Sequence, residues 1–299
     1  MSKILITGGT GLIGQRLSEL LCEKGHEISH LSRSKNPKSK YKTYLWKISE
    51  KYIDPAALDN LDHVIHLAGH GVAEGRWTKT KKQSILSSRV KSANLIFDNL
   101  KNSKLKTYIS ASGISFYGAT TTNDIYTEDA NPETDFLAQV TVQWEQSAMQ
   151  FKSLADRVVC VRTPVVLSSK GGALSKMAKP IKMGFGSPLG KGNQYMPWIH
   201  IDDLCEVYIK AIEDSKMEGI FNASSAEHIT NSQLTIAIAK QLNKNIWAPK
   251  VPGFVLKLVL GKMSGILLNG SRISNQKLLD IGFKFKFGSL SDALKDCLK

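Results

Sequence analysis

Two textures alternate along the first half of the chain: short continuous apolar runs, and longer stretches whose apolar residues recur three or four apart. The runs at 3–7, 27–31, 62–67, 106–111 and 157–161 predict strands buried on both faces. The stretches near 12–24, 79–100 and 136–152 predict helices, and a weaker strand is expected near 41–46. Strand and helix in alternation build a parallel sheet with helices on both faces, and ligands of such sheets lie beyond the carboxyl ends of the strands. After residue 165 the texture turns glycine-rich, with Gly171-Gly172, Gly184-Phe185-Gly186 and Gly190-Lys191-Gly192 reading as loops over a cleft. Helical patterns return from Asn231, punctuated by Pro249 and Pro252. The pattern divides the chain into 1–165 and 166–299, with segments of the second part expected to interleave with the first.

One junction in this pattern carries chemistry. Thr7-Gly8-Gly9-Thr10-Gly11-Leu12-Ile13-Gly14 joins the first strand to the first helix through glycines three apart. Gly8 permits a tight turn, Gly11 removes a side chain that would block a pyrophosphate, and Gly14 lets the helix pack close to the strand. The free amides at the helix start face the phosphates, where the helix dipole favours negative charge. A glycine-rich turn can also merely reverse the chain. Here Leu17, Leu20 and Leu21 continue the helix and Gly25-His26-Glu27-Ile28 opens a second strand, which makes a βαβ unit. The expected fold is therefore α/β, a Rossmann-type doubly wound parallel sheet with a smaller C-terminal α/β lobe.

The end of the second strand selects the cofactor, because an acidic side chain there grips ribose hydroxyls and repels a 2′-phosphate. This chain has Ser32-Arg33-Ser34-Lys35 instead. Arg33 can stack on adenine and pair with phosphate, and the Ser32 hydroxyl can donate to phosphate oxygens. The expectation is NADP (NADPH) over NAD, against the plainer reading of Arg33 as a surface arginine.

Composition narrows the setting. A length of 299 residues with 42% hydrophobic residues sustains a real core. The chain opens on strand and glycine turn rather than a basic leader with an apolar core, so export is not expected. No apolar run reaches the roughly 18 residues needed to cross a bilayer, and Gly253 to Leu268 is interrupted by Lys257 and Lys262, so no membrane partner is expected. Cys22, Cys160, Cys205 and Cys297 show no paired spacing, which predicts reduced thiols and a cytoplasmic protein. The seven histidines are scattered as well, so no metal site is expected. The formal charge of +14 could attract polyanions, but lysines such as Lys35, Lys38, Lys40 and Lys42, then Lys79, Lys81 and Lys82, recur along the chain without a nucleic-acid module. A solvated lysine-rich surface is the expectation, ahead of nucleic-acid binding.

Thr7 to Gly14 resembles the T-G-x-x-G-x-x-G signature of the short-chain dehydrogenase/reductase superfamily, particularly its extended, epimerase-like branch. Gly75-Arg76-Trp77-Thr78, Ser88-Arg89-Val90, Ser110-Ala111-Ser112 with Tyr117-Gly118, Asp135-Phe136-Leu137-Ala138, Trp144-Glu145, Val165-Val166-Leu167 with Gly171-Gly172, and Trp198 to Leu204 follow in order. With Val251-Pro252, Gly270-Ser271-Arg272 and Gly282-Phe283 they resemble the atypical group labelled NAD-dependent epimerase/dehydratase or cell-division-inhibitor-like, including its C-terminal domain. The resemblance covers essentially the whole chain. It implies that Gly8, Thr10, Gly11, Leu12 and Ile13 meet the pyrophosphate. It further implies that Leu67, Ala68 and Gly69 pass under the ribose, that Arg89 reaches the cofactor, and that Val166 lies near the nicotinamide amide. For Arg89 a salt bridge within the fold is the competing reading.

Ordinary members of that superfamily use a tyrosine with a lysine four residues later, which lowers the phenol pKa so that a proton moves as hydride moves. No tyrosine of this chain has a lysine four residues on, and none stands between Phe136 and Thr141, where the motif belongs. Ser112 could polarise a carbonyl, or could simply satisfy backbone. Tyr117 could be a displaced acid or a buried, hydrogen-bonded phenol. Trp198-Ile199-His200-Ile201-Asp202-Asp203 reads mainly as a helix start, with Trp198 and His200 as candidates to line the substrate end. Gly190 to Gln194 is either a closing loop or a surface turn. The catalytic residues and the small-molecule substrate stay unknown. Two functions compete, an NADP-dependent oxidoreductase with a non-standard proton donor and a module that holds NADP(H) without turnover. A monomer and a homodimer through 79–100 and 136–152 are both open.

Overall fold

The computed structural model describes residues 1–34, 39–101 and 103–299. Lys35 of the cofactor-selecting turn and Lys38 lie outside the described residues.

In chain order the strands are β1 (Lys3–Thr7), β2 (Glu27–Ser32), β3 (Lys42–Lys47), β4 (Tyr52–Ile53), β5 (His63–His66), β6 (Leu105–Gly113), β7 (Ile125–Tyr126), β8 (Ala155–Thr163), β9 (Val165–Leu167), β10 (Trp198–His200), β11 (Gly219–Asn222) and β12 (Arg272–Ile273). The helices are α1 (Leu12–Glu23), α2 (Lys79–Asn99), α3 (Phe136–Met149), α4 (Gly172–Lys182), α5 (Ile201–Glu213), α6 (Asn231–Gln241), α7 (Gly253–Leu260), α8 (Gly265–Leu268), α9 (Gln276–Asp280) and α10 (Leu290–Cys297). Eight strands form one sheet in the order β11-β8-β6-β5-β1-β2-β3-β4, parallel throughout except for the β3/β4 pair. The chain leaves β1 toward β2 and β3, then returns to β5 on the other side, so the topological switch lies between β1 and β5.

Alternate residues of the central strands feed two cores. Ile4, Ile6, Ile65, Ile109 and Val159 pack against α1 and α5 through Leu17, Leu21, Val207 and Tyr208. Leu5, Val64, Tyr108 and Val158 pack against α2 and α3 through Leu95, Ile96 and Ala148. Burial on both faces is why these strands read as continuous apolar runs rather than alternating ones. A third core, from Leu174, Ala178, Trp198, Leu234, Ile238, Leu290 and Leu294, holds α4, β10, α6 and α10 together as the second lobe. β11 rejoins the large sheet from within the later part of the chain, pairing with β8.

Local chemistry starts the helices where the pattern placed them. Asp135 accepts from the Leu137 and Ala138 amides at 2.9 and 3.1 Å, Thr78 accepts from Lys81, and Thr230 with Gln233 closes a capping box on α6. Asp135-Phe136-Leu137-Ala138 is thus an N-cap.

Three strand histidines, His30, His63 and His66, are buried, and desolvation pushes each imidazole down to about 4. Their folded pKa values lie below the ordinary 6.5, so between those values the unfolded chain binds more protons. The stability they contribute is complete above about pH 6.5 and is lost as pH falls toward 4, at about 1.4 kcal/mol per pK unit for each ring. Urea denaturation followed by circular dichroism should therefore show a midpoint that falls steadily from about pH 7 to about pH 4.5. A flat midpoint across that range contradicts the assignment.

Candidate functional site

The predicted cofactor residues converge at the carboxyl ends of β1, β2 and β5. Gly8 has φ +72°, and a Cβ there would stand 3.0 Å from the Leu67 carbonyl and the Ala68 amide nitrogen, so the turn lies directly on the strand-end segment Leu67-Ala68-Gly69. At Gly14 a Cβ would overlap the Gly8 carbonyl oxygen, which makes this glycine the contact that seats α1 on β1. Thr10 and Gly11 are exposed and Leu12 and Ile13 half-buried. Gly11 caps α1 without a side-chain hydrogen bond, and the first turn of α1 contains no acidic residue, so the helix start presents amides and positive dipole. Val166 packs with Leu12 and Ile13 on the same core, and a Cβ at Gly172 would touch Leu12 Cδ2 at 3.0 Å. β9 and the start of α4 therefore lie against the first turn of α1.

Sequence reasoning passed over Gly9, although it sits inside the quoted motif. A Cβ there would overlap the His30 ring, whose Nε2 meets the Ser18 hydroxyl at 2.8 Å. Also missed was His66, which organises the floor of the site. Its Nδ1 lies 2.7 Å from the Thr7 hydroxyl and its Nε2 2.9 Å from the Ser92 hydroxyl. Ser92 donates its own proton to the Ser88 and Arg89 carbonyls, so it accepts from His66 Nε2–H. Thr7 then donates to Nδ1 while accepting from the Ala68 amide at 3.1 Å. The chain of bonds accepts one tautomer, a neutral ring, in keeping with its depressed pKa.

The missing side chain of Gly69 leaves room for Arg89, since a Cβ on Gly69 would approach Arg89 Cζ at 3.0 Å. Arg89 lies 4.8 Å over the Trp144 ring and donates to the His70 and Ile85 carbonyls. Among the described residues no carboxylate pairs with it, which disposes of the internal salt bridge, and burial pulls its pKa down to about 10. Ser32 is half-buried at the end of β2 and Arg33 is exposed beside it. Ser32 Oγ accepts weakly, at 3.4 Å, from the Ser34 amide.

On the substrate side the arrangement is different. Glu145 of α3 and Arg162 of β8 form a buried bidentate pair, at 2.8 Å through Nε and 2.9 Å through Nη2. Ser112 donates to Glu145 Oε1 at 2.6 Å, Arg162 donates to the Tyr117 hydroxyl at 2.8 Å, and Tyr117 donates to Asn222 Oδ1 at 2.7 Å. Arg162 also lies 3.4 Å over the Phe116 ring. Burial alone would lower the Arg162 pKa, but the Glu145 carboxylate holds it up. Burial pushes the Tyr117 phenol up to about 12 against the opposing pull of Arg162. Ser112 and Tyr117 are thus committed to a structural network, and the Ser112 partner is a carboxylate rather than backbone. A charged residue in the apolar run Val158-Val159-Cys160-Val161-Arg162 was the signal that could have found this pair, since a buried arginine requires a partner.

Within Phe136 to Thr141 the two pairs spaced four apart are Phe136/Val140 and Leu137/Thr141, neither with a phenol or an amine. Thr141 donates back to the Leu137 carbonyl at 2.8 Å and meets Ser115 Oγ at 2.8 Å.

The Trp198 to Asp203 segment also turns inward. Asp202 takes a bidentate hold from Arg16, and Asp203 accepts from the Lys286 and Phe287 amides. Trp198 is buried in the core of the second lobe and His200 is buried against the Phe287 ring, which corrects their placement at the substrate end. His200, Asp296 and Cys297 bring ligand-type atoms within 4.8 Å of one another. His200 Nδ1 accepts from the Asp202 amide, so the neutral ring carries its proton on Nε2, 3.3 Å from Asp296 but outside hydrogen-bond geometry. The imidazole then turns a proton rather than a lone pair toward Asp296 and Cys297, and burial raises the Cys297 thiol to about 12. Gly190 to Gln194 is knitted in, with Gly190 donating to Val251 and Gln194 to the Leu189 and Leu267 carbonyls.

A parallel sheet with a glycine-spaced turn at its switch point defines the Rossmann class. Residues 4–224 match the NAD dependent epimerase/dehydratase family and residues 251–297 match a domain of unknown function (DUF1731), so the chain belongs to that epimerase family. It is 34% identical to the epimerase family protein YfhF of Bacillus subtilis (strain 168) over 299 residues, covering 99% of this chain and 97% of that protein. The crystal structure of human epimerase family protein SDR39U1 (isoform 2) with NADPH superposes with TM-score 0.87 at 28% identity, over 99% of this chain and 98% of that one. A UDP-glucuronic acid 4-epimerase from Bacillus cereus, in complex with UDP-glucuronic acid and NAD, shares the fold with TM-score 0.80 at 20% identity, over 99% and 98% of the two chains.

Removing Arg162 strands a buried carboxylate, so Arg162→Ala should cost about 3–5 kcal/mol in chemical denaturation. The double variant Glu145→Leu/Arg162→Met should lose less than Arg162→Ala, because neither charge is left behind. A single variant as stable as the parent overturns the structural role.

Proposed function

We propose that the protein binds NADP(H) and acts as an oxidoreductase on a small-molecule substrate without the tyrosine–lysine pair of its superfamily. The observation that carries this reading is Arg89, a desolvated guanidinium lying on Gly69 at the end of β5 and paired with no carboxylate among the described residues. A half-buried, largely desolvated cation whose partners are two carbonyls and the Trp144 ring is costly, and an anionic ligand beyond the strand ends would compensate it. The amide-bearing start of α1 would hold the pyrophosphate, and Gly11 leaves its approach open. Arg33 and Ser32 at the end of β2 would take a 2′-phosphate, with no acidic group in Ser32-Arg33-Ser34 to repel it. The human relative solved with NADPH supports the same preference. The bound nicotinamide would supply hydride transfer, and this chain's residues would bind and orient it.

The second reading, an NADP(H)-holding module without turnover, draws on the commitment of Ser112 and Tyr117 to the Arg162 network. Incubation with NADPH and a panel of carbonyl compounds separates the two, since only the oxidoreductase consumes the reduced nicotinamide absorbance with a substrate.

Calorimetric titration should give NADPH at least about tenfold tighter binding than NADH, a difference of about 1.4 kcal/mol. Arg33→Asp should reverse the order, and Arg89→Ala should weaken both cofactors. Equal or tighter NADH binding by the parent protein refutes the NADP assignment.

A further inference from the structure

The helix α7 presents its apolar side chains outward. Leu256 and Leu260, four apart, are half-buried, whereas Phe254 and Leu258, also four apart, and Val259 are 60–73% exposed, with Lys257 beside them. A helix on the surface of a globular protein ordinarily shows the reverse distribution. Arg76, on the loop that follows Gly69, donates to the Leu258 carbonyl at 2.6 Å and fixes the helix with this face outward.

More exposed apolar surface lies on the same lobe. Trp247 is exposed and donates its indole N–H to the Gly184 carbonyl at 2.8 Å, holding the exposed Met183 and Phe185 next to it. From there the two segments run side by side: Val251 donates to the Pro188 carbonyl and Gly190 to the Val251 carbonyl.

Charge is distributed in the same way. Residues 157–201 contain seven basic residues and no acidic one, and residues 228–279 again contain seven and none. Together these two stretches carry a charge equal to the +14 of the whole chain, so the remainder is balanced. Arg162 is buried on Glu145 and Arg157 donates to carbonyls beside the large sheet, but Lys182, Lys191, Lys244, Lys250, Lys257 and Lys262, within the same stretches as the exposed apolar residues, are exposed. A second copy of this chain would set these lysines against like charge. An anionic bilayer offers the opposite charge together with an apolar layer, and lysine stems reach from one to the other.

We infer that the protein docks peripherally on anionic bilayer surfaces through α7. Phe254, Leu258 and Val259 enter the boundary between headgroups and acyl chains, and Lys257 and Lys262 lie against the headgroups. No described helix is long and apolar enough to cross a membrane, and none is needed, because an interfacial helix lies in the plane of the surface. The expectation of no membrane partner rested on span length, which does not address this mode. The inference stands independently of the cofactor reading.

Co-flotation of the full chain with vesicles of equal parts phosphatidylglycerol and phosphatidylcholine, and with vesicles of phosphatidylcholine alone, tests it. The protein should float with the anionic vesicles only, and added salt should weaken the association. Phe254→Ser/Leu258→Ser should lower the partition coefficient at least about tenfold with an unchanged circular dichroism melt. Absence of flotation with anionic vesicles overturns the proposal, as does flotation that the double variant leaves intact. Light scattering that shows a dimer split by the double variant would assign the face to a second copy, and vesicle-independent retention on an acidic protein would assign it to that partner; either result replaces the bilayer.

Discussion

The ion pair between Glu145 and Arg162 is the constraint around which the substrate half of the molecule is arranged. It links α3 to β8, and through Ser112, Tyr117 and Asn222 it draws in β6, the turn after β6 and β11. Two charges taken out of water are tolerated only when both are hydrogen-bonded, and beyond their mutual bonds the Ser112 hydroxyl donates to Glu145 and the Tyr117 hydroxyl accepts from Arg162. The consequence is chemical as well as mechanical. The polar side chains that the sequence offers as catalysts at this strand end are the ones the pair consumes.

The cofactor half follows a different logic, in which room and charge are left for something else. Gly8 and Gly14 set the turn against the strand ends and the helix, His66 locks the floor in one tautomer, and Gly69 gives its space to Arg89. The groups facing outward are the start of α1 and the exposed Thr10 and Gly11, beside a half-buried guanidinium that has no carboxylate among the described residues. One half of the cleft has satisfied its polar groups internally and the other has not. That asymmetry separates the two halves of the cleft by their chemistry.

Much of this was legible in the sequence wherever physics acts locally. Strands buried on both faces announce themselves as apolar runs, and the glycine spacing marks the turn because backbone contact there tolerates no side chain. The structure adds what depends on distant partners. Arg162 and Glu145 are seventeen residues apart and meet only because β8 lies beside β6 under α3. Likewise His200 and Trp198, polar-tipped residues next to two aspartates, looked available until the second lobe packed over them. The approach of Arg89 to Gly69 depends on the same kind of distant partner.

Tyr117 is not poised to move a proton, because it is buried, bonded to Arg162 and Asn222, and pushed up to about 12. Ultraviolet difference titration of the tyrosines, in the parent and in Tyr117→Phe with saturating NADP⁺, measures this directly. The account predicts that the two proteins titrate identically below about pH 9. A phenol that ionises near neutral pH in the parent and is missing from the variant would contradict it.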